Sequence, residues 1–432
     1  MKRKLQTGFV GLLSGLLALS MTACGQNADS SNTSGSSDAD SSTIRIGVLS
    51  TLTGAFATLG QDGVDGVNIA LDEFGGEIGG HKVELFVEGT DATAQSAIDK
   101  ARALIERDKV DIIVGPLSGS EGQAIKDASD EWPDVTFVVA GSAAENVTMR
   151  GIKDNVWRTS YSGQQPTFGL GEYAAKEGYK KVVTIAEDYD FPYAQVGGFM
   201  LTYCQSAEDT KVADKFWTPI GTADYSSIIS KIPTDADALF VALGGTDMVN
   251  FVNQLNEYGK LGDLPILGGT VAVDATQLAS VGDKLDGVIS GSIMSGSIDT
   301  DEFKQLDKAF SELRNRAPSL FVENYYRGMK WVLLALEKVN GDMSQIDAFR
   351  DALQNTEFVA PASPVKFDDH HNVVTDTFLN QVKNVDGEWR NVVVKTYPET
   401  SQFWTYDPEW FEKQPEFSNS YPESCESIRA SR

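Results

Sequence analysis

Positive charge is scarce in this chain: 36 Lys and Arg stand against 62 Asp and Glu, a formal net charge of −26. A surface that acidic repels a polyanion, so nucleic-acid binding is set aside. Histidine is scarcer still, with His81 in a predicted turn and His370 and His371 side by side. No Cys or His spacing matches a metal site, and Asp368-Asp369-His370-His371 reads as a polar turn. There is no G-x-S-x-G, no Walker loop and no G-x-G-x-x-G. Nothing therefore announces an enzyme, and no cofactor is expected.

Long apolar runs are also missing. The only marked one, residues 9–19, is shorter than the roughly 20 residues that a membrane-spanning helix needs. It follows Lys2, Arg3 and Lys4 and precedes Ser20-Met21-Thr22-Ala23-Cys24, the order of a bacterial lipoprotein signal with Cys24 as the lipidated residue. Residues 24–42 are Ser, Asp, Asn and Gly with few apolar side chains, a composition that cannot offset the entropy of ordering. Residues 1–23 thus read as a signal and 24–42 as a tether, holding the remainder at the outer face of the cytoplasmic membrane or in a periplasm. Two further cysteines, Cys204 and Cys425, lie in what would be an oxidising compartment. They are read as a disulfide, the alternative being a buried thiol on a helix and a loose thiol in the tail.

What is abundant is alternation of strand and helix. Apolar runs at 44–49, 111–114, 136–139, 181–186 and 238–242 alternate with helical patterns, and those at 111–114 and 136–139 each end in a Gly- or Ser-rich turn. Val64, Val67, Leu71 and Phe74 mark one helix face. The order is that of a doubly wound parallel sheet, and about 390 residues beyond the tether are too many for one core. Two α/β lobes are expected, with a ligand cleft between their strand-end turns. The small residues of the stretch 111–148, including Ser118, Gly119, Ser120, Gly141, Ser142 and Ala143, let the backbone approach a small molecule, and helix-start N–H groups there favour an anion.

Several ordered segments carry a resemblance: IRIGVLSTLTGAFATLGQDGVDGVNIALDEFG, GGEIGGHKVELFVEGTDATAQSAIDKARALIERDKVDIIVGPLSG, VAGSAAENVT and VWRTSY, with Ala362-Ser363-Pro364-Val365-Lys366-Phe367-Asp368 later. Together they resemble the leucine/isoleucine/valine-binding family of extracytoplasmic substrate-binding proteins, which serve ABC importers. The tail around Gln402-Phe403-Trp404 and Tyr421-Pro422 resembles a subset near the aromatic-acid binders.

The resemblance implies a type I periplasmic-binding fold, two lobes joined by three crossovers near Arg158, Ser290 and Pro364. One lobe would comprise 43–158 plus 292–361 and the other 159–291 plus 362–432. It also implies a small-molecule ligand and ABC permease subunits as partners, with the lipid anchor holding the protein at the membrane. A ligand-sensing lipoprotein feeding a separate receptor is the alternative. In the implied pocket Ser118, Gly119 and Ser120 take a carboxylate, Gly141, Ser142 and Ala143 offer backbone groups, and Phe191 closes over the ligand with Tyr193 nearby. Leu59 and Thr246 stand where relatives often have Tyr, and Thr270 stands where amino-acid binders have the acid that pairs with an ammonium. With Asp188 or Asp247 as the substitutes at hand, the ligand is a branched-chain or other apolar amino acid, or a small aromatic acid.

Overall fold

The computed structural model describes residues 43–431. The signal, Cys24 and the tether lie outside those residues. In the first half, five apolar or alternating runs pair side by side and in parallel, because each returns through a helix to the same edge. They are β1 (Thr43–Thr51), β3 (His81–Thr90), β4 (Ile112–Val114), β5 (Thr136–Val139) and β6 (Val156–Arg158), with the short β2 (Glu77–Ile78) antiparallel at the edge. The order is β2-β3-β1-β4-β5-β6, so the chain switches direction across the sheet between β1 and β4.

Helices α1 (Ala57–Glu73), α2 (Ala94–Glu106) and α3 (Gly119–Ala128) follow β1, β3 and β4. Val67 packs on one face of the sheet, and Ala97, Leu104 and Ile125 on the other.

A second sheet begins after α4 (Gln165–Lys176). Its parallel part is β7 (Lys181–Glu187), β8 (Lys211–Thr218), β9 (Ala238–Ala242), β10 (Ile266–Gly268) and β11 (Ile289–Ser292), connected through α5 (Asp190–Ser206), α6 (Ser226–Ile229), α7 (Gly245–Glu257) and α8 (Ala275–Val281). Its switch lies between β7 and β9. The chain then adds α9 (Asp301–Arg314), α10 (Leu320–Lys338) and α11 (Ile346–Gln354), whose Val322, Tyr325, Trp331 and Phe349 fill the core of the first sheet. Helix α10 lies so close to α1 that a Cβ at Gly66 would stand 2.3 Å from the Val322 carbonyl.

The chain returns through β12 (Phe358–Val359) and β13 (Pro364–Phe367) to the long antiparallel pair β14 (Val373–Val385) and β15 (Glu388–Thr400), β14 pairing with β11. The fold is therefore α/β, two doubly wound lobes joined by three crossovers.

Arg158, at the end of β6, is fully buried where the segments cross. Its guanidinium donates to Asn372 Oδ1 at 2.6 Å, to the Ala144 carbonyl, to Thr148 Oγ1 at 2.6 Å and to Gln402 Oε1 at 3.2 Å.

The tail, with α12 (Pro408–Glu412) and α13 (Cys425–Ala430), lies along α4 and α5. Phe403, Phe411 and Phe417 join Phe168 and Phe199 in one core, and Cys425 is bonded to Cys204 of α5 across a sequence separation of 221. Arg150 donates to the carbonyls of Phe411, Glu412 and Gln414, and Arg429 to those of Cys204, Ala207 and Thr210. Replacing Cys425→Ser removes a cross-link over a long loop and is expected to cost about 2–4 kcal/mol, read as a lower denaturant midpoint at unchanged slope.

Candidate ligand cleft

A parallel sheet presents the turns that follow its strands at one edge, and a crevice opens there where the winding reverses. Both sheets turn this edge toward the same space. The turns after β1, β4 and β5 face those after β7, β9 and β10 across a narrow cavity. Phe56, Leu59, Leu117, Ala143 and Phe321 wall it from one lobe, and Tyr161, Tyr189, Phe191 and Val271 from the other. Ser118, Gly119, Gly141 and Gly244 complete the wall. None of these residues is charged.

Four rings run in sequence across the cleft. Phe56 lies 6.2 Å from Tyr189, Tyr189 lies 6.3 Å from Phe191, and Phe191 meets Tyr161 edge-on at 6.3 Å. Aromatic pairs at these separations are mutually attractive and stiff, which gives the cavity a defined shape.

The sequence-derived residues divide between the cavity and its supports. Ser118, Gly119, Gly141, Ala143 and Phe191 line it. The Ser118 hydroxyl is engaged: it caps α3 by accepting from the Glu121 N–H and donates to the Ala92 carbonyl, while Glu121 Oε2 accepts the Ser118 N–H. Gly119 and Ser120 occupy the first two positions of α3, where a helix supplies no partner for the N–H groups. Phe191 stands in the same situation at the start of α5, and α7 begins beside Gly244. Three helix starts converge on an uncharged wall, which favours a negative group there.

The other five named residues support the wall. The Ser120 hydroxyl reaches across the cleft to Asp190 Oδ2 at 2.6 Å. Ser142, buried under α3, donates to the Gly119 carbonyl at 3.3 Å. Tyr193 turns away, bonding to Asp188 and packing edge-on against Trp217. Thr246 bonds only weakly to Asp247, at 3.4 Å. Thr270 is held by Gln195 behind the wall and borders a second hollow with Asp274 and Asn391.

The acids near the cleft each hold a partner already, although Glu187 Oε2 is left without one. Asp188 serves Tyr193 and Asn419, and Asp247 accepts the Gly221 N–H at 2.8 Å. Glu187, fully buried, accepts the Gly244 N–H at 3.0 Å, and its burial pushes the carboxyl well above the usual range. Asp274 accepts the Leu320 N–H at 2.7 Å from across the cleft and is likewise pushed up by burial. Away from the cleft, His371 stacks on Trp157 at 4.4 Å.

Phe56, Leu117, Tyr161, Tyr189, Gly244, Val271 and Phe321 were not among the residues picked out from sequence. Phe56 and Tyr189 stand immediately before α1 and α5, and Tyr161 directly follows the first crossover. Position relative to a helix start was the signal available.

This fold and cleft are those of a substrate-binding protein. A family model described as a periplasmic binding protein matches residues 43–388, and the chain belongs to that family. An ABC transporter substrate-binding protein from Sphaerobacter thermophilus superposes with a TM-score of 0.77 at 29% identity, covering 83% of this chain and 99% of its own. A solute-binding protein of an ABC transporter from Rhodopseudomonas palustris, in complex with 3,4-dihydroxybenzoic acid, gives 0.78 at 23% identity, with 84% and 99% covered. Leu/Ile/Val-binding protein homolog 6 of Brucella melitensis is 23% identical over 364 residues, 82% of this chain and 91% of that one. Members of this class deliver substrates to ABC transporters and are not enzymes. No helix among the described residues is long and apolar enough to cross a membrane.

At Gly119 a Cβ would stand 2.7 Å from the Phe191 nitrogen of the opposite lobe. Gly119→Ala is therefore expected to hold the lobes apart. Overpacking of about 1–3 kcal/mol predicts ligand binding weaker by about fivefold to a hundredfold by calorimetric titration, with the unfolding midpoint of the ligand-free protein unchanged.

Proposed function

We propose that this protein is the lipid-anchored substrate-binding component of an ABC importer, and that its ligand is a small monocarboxylate with an aromatic or branched apolar body and no free ammonium. The observation that carries the ligand class is the composition of the cavity wall: aromatic and aliphatic side chains, three helix starts, and no acid or base. An ammonium buried there would lack a carboxylate, which costs several kcal/mol. A carboxylate meets N–H groups at the starts of α3 and α5. The neighbour that holds 3,4-dihydroxybenzoic acid supports the aromatic arm of this reading.

The lobes are 43–158 with 292–361, and 159–291 with 362–432. Closure about the crossovers presents both lobe surfaces to the permease together, so that only the loaded form docks. Cys24 carries the lipid and residues 24–42 span the distance from the membrane, outside the cytoplasmic membrane. The protein transforms nothing that it binds.

Thermal unfolding of the purified protein with benzoate, 4-hydroxybenzoate, phenylacetate, 4-methylpentanoate and leucine tests the ligand class. An acid at about a hundredfold over its dissociation constant is expected to add roughly 2.7 kcal/mol of stability. The simple acids should raise the midpoint and leucine should not; a shift with leucine alone would overturn the claim that no ammonium is accepted.

A further inference from the structure

Two hydrogen bonds cross between the lobes at the rim of the cavity, and in each a carboxylate of the second lobe meets the start of a helix that packs in the first. Asp274 is buried in the turn between β10 and α8. Its Oδ1 accepts the Thr276 N–H at 3.0 Å and so caps α8. Its Oδ2 accepts the Leu320 N–H at 2.7 Å, the first N–H of α10. A helix has no internal partner for that group, and Ser319, which precedes α10, supplies no side-chain cap. The cap comes instead from the opposite lobe. On the other flank Asp190, the first residue of α5, accepts the Ser120 hydroxyl of α3 through Oδ2 at 2.6 Å.

All four residues adjoin the wall without lining the cavity themselves. Ser120 follows Gly119 and Asp190 precedes Phe191; Leu320 precedes Phe321 and Asp274 stands just beyond Val271. The cavity is thus bracketed by one bond beside Gly119 and Phe191 and by another beside Val271 and Phe321. A carboxylate is favoured at the positive start of a helix, and a hydrogen bond to a charged acceptor is stronger than one between neutral groups.

We propose that Asp274 and Asp190 are positioning residues that latch the closed cleft: they bond the lobes directly to each other and raise the affinity for every ligand by a common factor without touching any of them. A bond that exists in the closed form and is lost in the open form shifts the balance between the two by its own free energy. Apparent affinity scales with the fraction of the protein in the form that holds ligand. Selectivity then belongs to the wall, while the strength of binding is shared between the wall and the latch. Asp274, the more deeply buried of the two carboxylates, carries the larger part.

This inference rests on the reading of the cleft as a ligand site that closes, and the test separates the two. Asp274→Ser keeps an oxygen to cap α8, because serine caps as well as aspartate, but lacks the second oxygen that Leu320 needs. Asp190→Ala removes the other acceptor, and Asp190→Asn restores an uncharged one. The full chain is titrated calorimetrically with benzoate, 4-hydroxybenzoate and 4-methylpentanoate, and release is followed by stopped flow. Asp274→Ser is expected to weaken all three by the same factor, about tenfold, through faster release at unchanged association, with the ligand-free unfolding midpoint retained. Asp190→Ala should cost several-fold, and Asp190→Asn should recover most of it. Unchanged affinity in the Asp274→Ser, Asp190→Ala double variant would overturn the latch and leave the cleft reading intact. Losses that differ from one acid to the next would overturn it too, by placing the carboxylates on the ligand. If the wild type binds none of the three acids, the proposed ligand class fails and small-angle X-ray scattering of the ligand-free protein decides the latch. The double variant should then be more extended than wild type, and an unchanged radius of gyration would overturn the inference.

Discussion

The buried guanidinium of Arg158 is the constraint on which the arrangement of the lobes depends. A fully buried cation is tolerable only when its donors are met. Here they are met by neutral oxygens from three separate parts of the chain: the turn after β5, the turn before β14, and the start of the tail. Asn372 also joins Arg158 through an isolated parallel bridge. These bonds hold the first and last crossings in fixed register.

From that fixed point the site follows by geometry. Parallel pairing sends each strand-end turn to one edge, and the winding reverses between β1 and β4 in one sheet and between β7 and β9 in the other. The turns at those two places supply most of the cavity wall. Helix starts supply the polarity that the side chains lack, so a wall of Phe, Tyr, Leu and Val can still receive an anion.

The strands, the doubly wound order and the site-bearing turns were legible in the sequence, because apolar runs ending in small residues carry that information locally. The task of each hydroxyl was not. Ser118 and Ser142 have the composition of ligand-binding serines, yet one caps α3 and the other bonds to the Gly119 carbonyl beneath it. A serine before a helix serves a cap or a ligand equally well, and only the position of Glu121 decides. The ring sequence Phe56, Tyr189, Phe191, Tyr161 escaped notice because its members come from four segments that meet only after both sheets have formed. Tyr193, three residues into α5 beyond Asp190, pointed to the cleft by proximity in sequence, but helical rotation turns it toward Trp217.

The tail has a consequence for the order in which the molecule can be made. The core on one face of the second sheet contains Phe403, Phe411, Phe417, Cys425 and Ile428 together with Phe168, Phe199 and Cys204. A chain emerging from its amino end can complete the first sheet's β1–β6 long before these residues appear, yet it cannot fill that second core until nearly its last residue has emerged. The second lobe therefore keeps an aromatic surface uncovered until those residues have been made, and that surface is open to aggregation and proteolysis in the interval.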